Sequence, residues 1–329
     1  MTKLIDQSRR RALLAVAGVA ALGPHAAFAQ GLTSNRAIRF IVPFTPAAGP
    51  DIVARLLAPK LQARWNQPVI VENRPGASGT IGAEAVAKAT PDGHTIMVGP
   101  ASAVTAPHLY TKLGYDVVRD LTPIVNVGST GLALAVHSAV PASNAQEFIS
   151  YAKSHPGKLN YGSPGNGTHH HLCMELFKQI AGVDIVHVPY KGSAGATTDL
   201  LSGQIPAMFL PIHVALPMQR AGKIKLLGGS LRERHPFFKD LPSLHEQGVR
   251  DYDVDLWIGV WGPAAMPAEL VAKFNTELRA IVAEPEMIDA LAKQGLIPNT
   301  GTPAQFAKLV KDDHERWGKI IRDAKIQAD

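Results

Sequence analysis

The chain has 329 residues, of which 46% are hydrophobic, 18% charged and 6% aromatic, with a formal net charge of +6. That length and apolar content can bury a large core, commonly divided between two domains. The basic residues are scattered and the aromatics few, which excludes a nucleic-acid-binding stripe and a membrane-surface helix.

Residues 1–29 read as a targeting segment. Arg9, Arg10 and Arg11 form a basic head, Ala12 to Leu22 an apolar run, and Ala27-Phe28-Ala29 a small-residue cleavage site. The run is shorter than the roughly 20 residues that span a bilayer. Cleavage after Ala29 leaves 29 basic and 26 acidic residues, a mature net charge of +3. The arginines followed by Leu13 and Leu14 resemble a twin-arginine signal, with Sec export the alternative. Either route implies a periplasmic protein. The single cysteine, Cys173, excludes an internal disulfide and reads as a small hydrophobe on a helix.

Beyond the signal, short apolar runs alternate with amphipathic stretches. Strands are expected at Ile38 to Phe44, Val69 to Glu72, Thr95 to Gly99, Leu132 to His137, Leu159 to Ser163, Ile185 to Tyr190, Ala207 to Pro211, Lys225 to Gly229 and Leu256 to Trp261. Helices are expected at Asp51 to Trp65, Gly79 to Ala89, Ala145 to Ser154, Thr168 to Ala181 and Gly195 to Leu201. This alternation predicts an α/β protein of βαβ units with parallel sheets. The part from Pro267 onward shows only helical patterns, the last with Phe306, Leu309, Trp317 and Ile320 or Ile321 on one stripe. Pro123 to Gly131 and Leu231 to Asp255 are the expected crossings between two domains. Residues 30–126 with 250–329 form domain 1 and 127–249 domain 2, so a ligand would lie in the cleft between them.

The segment Leu159 to Leu172, LNYGSPGNGTHHHL, reads as strand, glycine-rich loop and helix start. It lacks the P-loop lysine, the third glycine of a dinucleotide fingerprint and the first glycine of a hydrolase elbow. His169, His170 and His171 point about 100° apart on a helix and cannot converge on one ion, so no metal is expected. What remains is an anion site of inward-facing amides at a helix start, with Thr168 capping or donating. Valine at Gly167 is expected to intrude on that anion. Comparable loops follow other strands at Pro43 to Asp51, with Asp51 a natural cap, at Gly76 to Gly79 and at Pro189 to Ser193.

Ile38 to Phe44, Asp51 to Leu57, Val71-Glu-Asn-Arg-Pro-Gly-Ala-Ser-Gly79, Leu159 to Ser163 with Gly167-Thr168, and Val188-Pro-Tyr-Lys-Gly192 together resemble the extracytoplasmic solute receptors of tripartite tricarboxylate transporters, the Bug family. The resemblance covers essentially the whole mature chain. It implies a type II periplasmic-binding-protein fold, two α/β domains closing on a carboxylate, with no catalysis and no cofactor. It also implies a ligand-binding set of Phe44, Thr45, Pro46, Ala47, Ala48, Asp51, Ala77, Ser78, Ser102, Ser163, Asn166, Gly167, Thr168, His169, Tyr190, Lys191 and Gly192. The chain departs from the family in the first loop, where Thr45-Pro46-Ala47-Ala48 replaces a more glycine-rich run and its methyl groups restrict positive φ.

The expected function is capture of an organic carboxylate, a di- or tricarboxylate or an aromatic dicarboxylate such as terephthalate, by a monomer that delivers it to transporter components in the membrane. Phe44, Tyr190 and Trp257 would wall an aromatic ligand. The alternative is a secreted esterase using Ser163 or Ser78 with a nearby histidine.

Overall fold

The computed structural model describes residues 36–46, 48–110 and 112–327. The signal segment and Ala47 therefore lie outside the described residues.

The first strands are β1 (Ile38–Val42), β2 (Val69–Asn73) and β3 (Thr95–Pro100), and the helices among them α1 (Gly49–Trp65) and α2 (Thr80–Ala87). After α3 (Ser102–Leu109) come β4 (Leu121–Thr130) and β5 (Leu132–His137). The middle of the chain forms α4 (Ala145–Lys153), β6 (Asn160–Ser163), α5 (His169–Ala181), β7 (Val186–Pro189), α6 (Ser193–Ser202), β8 (Ala207–Pro211), α7 (Ile212–Arg220) and β9 (Ile224–Gly229). The last elements are β10 (Leu256–Pro263), α8 (Ala268–Val282), α9 (Pro285–Lys293), β11 (Ile297–Pro298) and α10 (Pro303–Asp323).

These strands make two sheets, one of order β11-β4-β10-β3-β1-β2 and one of order β7-β6-β8-β5-β9. Strands β2, β1 and β3 run parallel, as do β7, β6 and β8. Each sheet is nevertheless mixed, because β10, β4 and β11 join the first and β5 and β9 join the second antiparallel. The wholly parallel sheets expected from alternation are replaced where the chain passes between sheets. Strand β4 ends in the first sheet and β5 begins in the second with only Gly131 between them; residues 230–255 bring the chain back to β10.

Strand β4 occupies most of the segment expected to be a crossing. Its Pro123 removes a ladder donor, and the pairing with β10 shifts register between Val260 and Trp261, where Pro123 faces Trp261. The two-residue β11 also interrupts the expected all-helical end.

Helix α10 starts at a capping box, Thr302 with Gln305, and Pro303 at its first turn. It buries Phe306, Trp317, Ile320 and Ile321 against α3 and β4, which fixes the end of the first sheet. One apolar cluster runs through both sheets, joining Met97, Val104 and Trp257 to Leu134, Phe148 and Phe177. Cys173 lies in it as a buried free thiol, pushed up to about 12 by burial. The loops after β1, β2, β6 and β7 lie at the carboxyl ends of parallel strands.

Candidate functional site

The loop after β1 is fixed from behind. Asp51 is 2% exposed; its carboxylate accepts from Arg55 Nε at 3.0 Å and from Asn73 Nδ2 at 2.9 Å. Asn73 Nδ2 also donates to the Phe44 carbonyl at 3.0 Å, so one amide ties strand β2, helix α1 and the loop together. Helix α1 begins two residues before the expected Asp51, with Ala48 as N-cap and no side-chain capping bond. Asp51 instead sits in the first turn, where a carboxylate is favoured by the helix dipole. Ala48 is extended, at φ −70° and ψ 157°, so its methyl group causes no strain.

The loop after β2 carries four successive positive φ angles, Gly76 at 133°, Ala77 at 45°, Ser78 at 55° and Gly79 at 94°. Left-handed Ala and Ser cost of order 1–3 kcal/mol each. The turn is held by Thr80 Oγ1 on the Ala77 carbonyl at 2.9 Å and by Gly79 N on the Gly76 carbonyl at 2.9 Å. Gly79 presses on Phe44, whose ring carbon would lie 3.0 Å from an added Cβ, which brings the first two loops into contact.

In the second sheet, Tyr190 N and Gly192 N donate to the carbonyls of Ser163 and Pro164, each at 3.0 Å, and so join the loops after β6 and β7. Ser163 is fully buried. Its Oγ donates to Gly165 O at 2.9 Å, accepts from Gly165 N at 3.2 Å and meets His187 Nε2 at 2.7 Å. Gly167 N donates to His171 Nδ1 at 3.1 Å, and Thr168 Oγ1 donates to Gly165 O at 2.8 Å while capping α5 by accepting from His171 N. The amides of Gly165 and Gly167 are thus bonded to Ser163 and to His171 of α5. A Cβ at Gly167 would meet Leu109 Cδ1 at 2.3 Å, so the missing side chain makes room for α3 and not for an anion.

Helix α3 joins the two sides. Leu109 fills the space at Gly167, and the adjacent Tyr110 hydroxyl lies 3.1 Å from Ser78 Oγ. Two buried polar atoms lack a hydrogen-bond partner among the described residues on first turns of helices here, Ser102 Oγ of α3 and His169 Nε2 of α5. His169 stands edge-on to Trp317 at 5.8 Å. Burial, with His170 adding to it, pushes the His169 imidazole down to about 4. Burial likewise pushes His170 down to about 4, so both rings are neutral at pH 7. The histidines are thus not solvated: His169 and His171 are buried and His170 half-buried. Among the described residues no group of three or more acidic, histidine or cysteine side chains is placed to hold a metal.

Thr45, Pro46, Ala77, Ser78 and Lys191 are exposed, and Phe44, Asn166 and Tyr190 half-buried. The nearby arginines are paired: Arg39 and Arg74 with Glu72, and Arg55 with Asp51. Trp257 cannot wall a ligand, because it is fully buried, donates to Asp313 Oδ2 at 2.7 Å and packs on Trp261 and Phe306. Tyr190 retains an accessible edge, its hydroxyl donating to Asp199 at 2.5 Å. Ser163 has the histidine that a nucleophile needs, but an ester cannot reach it; Ser78 is accessible and its described partner is a tyrosine. Asn73 and His187 are the residues sequence reasoning misses, since neither lies at a spacing that marks it.

A profile described as the tripartite tricarboxylate transporter family receptor matches residues 53–326. Protein BugT of Bordetella pertussis is 32% identical over 315 residues, covering 94% of this chain and 97% of BugT. Among solved structures, R. palustris Rpa4515 with adipate aligns at a TM-score of 0.76 and 33% identity, covering 89% of this chain and 98% of that one. MatC from Rhodopseudomonas palustris with bound malate aligns at 0.73 and 31%, covering 87% and 99%.

Proposed function

The chain belongs to the tripartite tricarboxylate transporter receptor family, and on that premise we propose that it is a periplasmic receptor that binds an organic carboxylate and presents it to the membrane components of such a transporter. The observation that carries the reading is that two proteins aligning over nearly all of this chain hold adipate and malate, both small dicarboxylates. The site is consistent with it. Its arginines are already paired, so a carboxylate would be held by hydroxyls, amides and water, with Ser102 Oγ and His169 Nε2 as the buried polar atoms left to complete.

We take the two sheets as the halves of the receptor and propose the division 30–126 with 250–329 and 127–249; residues 127–130 belong to β4 of the first sheet, past that boundary. No helix among the described residues is long and apolar enough to cross a membrane; the proposed receptor is exported by the signal segment and acts as a monomer. The proposed role needs no catalysis, and Ser163 is fully buried.

A thermal-shift screen of the chain from Gln30 against adipate, malate, citrate and terephthalate tests this. A ligand at about 100 times its dissociation constant adds roughly 2.7 kcal/mol of stability. The aliphatic dicarboxylates are expected to give the largest shifts; no shift from any carboxylate would overturn the reading.

A further inference from the structure

The loop after β6 is backed by two imidazoles, His171 of the histidine run and His187, which no motif marks. His171 and His187 stack with ring centroids 3.7 Å apart and planes at 20°. One comes from α5 and the other from β7, and each holds a different point of the loop: His171 Nδ1 the Gly167 amide at 3.1 Å, His187 Nε2 the Ser163 hydroxyl at 2.7 Å. The rings in turn lie against Tyr161, whose ring is stacked on His187 at 4.9 Å and whose hydroxyl donates to Glu175 at 2.6 Å. Lys178 Nζ bonds the same Glu175 oxygen at 2.7 Å.

This arrangement dictates the protons. A backbone amide only donates, so His171 Nδ1 must be the lone-pair nitrogen and its proton sits on Nε2, 4.0 Å from Glu175. With the Ser163 proton on Gly165 O, His187 Nε2 donates to Ser163 Oγ. His171 is therefore neutral and in a single tautomer, and His187 carries a proton on Nε2. Two cations at this separation would repel, and a second proton on His171 would confront the Gly167 N–H. Burial first, then His187 and Lys178, keep His171 unprotonated down to about 3.

We propose that His171 and His187 are positioning residues for the ligand loop, setting the backbone of residues 163–168 from behind without touching the ligand. This rests on the carboxylate-receptor reading for its functional consequence, while the loop geometry stands apart from it. The pair lines a cavity of about 490 Å³ with Asn166, Glu175, Lys178 and Lys325.

The test uses four variants of the mature chain. Asparagine places Oδ1 where His171 has Nδ1, and glutamine places its amide where His187 has Nε2, whereas His171→Leu and His187→Leu remove the bonds. Hydrogen exchange of the 160–172 segment should accelerate at least tenfold in His171→Leu and return to within threefold of wild type in His171→Asn, with His187→Leu and His187→Gln behaving in parallel. Adipate and malate affinities, by calorimetry, should fall at least fivefold in the leucine variants and recover in the amides. Unchanged exchange in a folded His171→Leu protein overturns the positioning role, as does equal loss in His171→Asn. Wild type binding neither acid would count against the receptor reading, and exchange alone would then decide the role of the pair.

Discussion

Behind the loop after β1 stands a carboxylate, Asp51, gripped by Arg55 and Asn73, whereas behind residues 163–168 stand two stacked imidazoles and a buried hydroxyl. Both supports fix a backbone, but they fail under different conditions. The first is a charged grip of guanidinium and amide on a carboxylate. The imidazole support holds only while His171 Nδ1 stays unprotonated to accept the Gly167 amide. The candidate site thus has an ionic side and a side held by the neutral His171, the neutral side, and its nearby arginines are already paired.

The largest expected effect tests where the two sides meet. Gly167 has φ 69° and its Cβ position lies 2.3 Å from Leu109. Gly167→Val should combine backbone strain with overpacking and cost about 4 kcal/mol in urea unfolding. Adding Leu109→Ala should return part of that loss by relieving the clash while leaving the φ penalty. A harmless Gly167→Val would mean that α3 does not join the sides here.

Acid separates the two supports. His171 titrates near 6.5 in the unfolded chain but only at about 3 in the fold. Between those values the unfolded chain holds a proton that the native protein refuses, so this contribution is complete above 6.5 and is lost as pH falls toward 3. Asp255, in the return crossing, runs the other way. Burial, with Asp313 and Asp253 nearby, raises it from 3.8 to about 6, so its protonation adds stability as pH falls from above 6 to 3.8. His171→Asn should flatten the acid limb of the stability curve, by about 3 kcal/mol at pH 4, and Asp255→Asn should steepen it. Denaturation midpoints from pH 7.5 to 4 check both; a His171→Asn curve parallel to wild type would break the comparison.

On the ionic side, Asn73→Ala removes both the bond to Asp51 and the one to the Phe44 carbonyl. Leaving a buried carboxylate with one partner fewer should cost about 2 kcal/mol. Hydrogen exchange should quicken in residues 43–48 and stay unchanged in 163–168. Loosening of both loops together would show one shared support.

How much of this was legible beforehand follows from what periodicity reports. Strands β5 and β8 stand at their expected limits because each is a short apolar run bounded by turn residues. Strand β4 hid behind Pro123, Asn126 and Ser129, polar or ladder-breaking residues that the neighbouring β10 accommodates through shifted register. Helices α3 and α7 carry Pro107 and Pro217 inside them and give no clean signal. The loops of the candidate site were readable from glycine and strand ends. Their supports were not, since Asn73 and His187 act across 22 and 24 residues on Asp51 and Ser163, partners that only the sheets bring together.

The smallest effect concerns Thr168, the one hydroxyl at the start of α5 that sequence reasoning offers to the anion. Its single proton goes to Gly165 O at 2.8 Å, and its lone pair takes the His171 amide at 3.4 Å as N-cap. Both bonds serve the loop, so a ligand can gain little from the hydroxyl. Valine has nearly the same shape and keeps neither bond. Thr168→Val should therefore lower stability by about 1 kcal/mol, typical of a lost cap, while Thr168→Ser stays at the wild-type value. Affinity for adipate or malate should fall less than threefold, through loosening of the loop alone. A tenfold loss of affinity at unchanged stability would place the Thr168 proton on the ligand, and the neutral side would then be a direct contact with the carboxylate as well as a support.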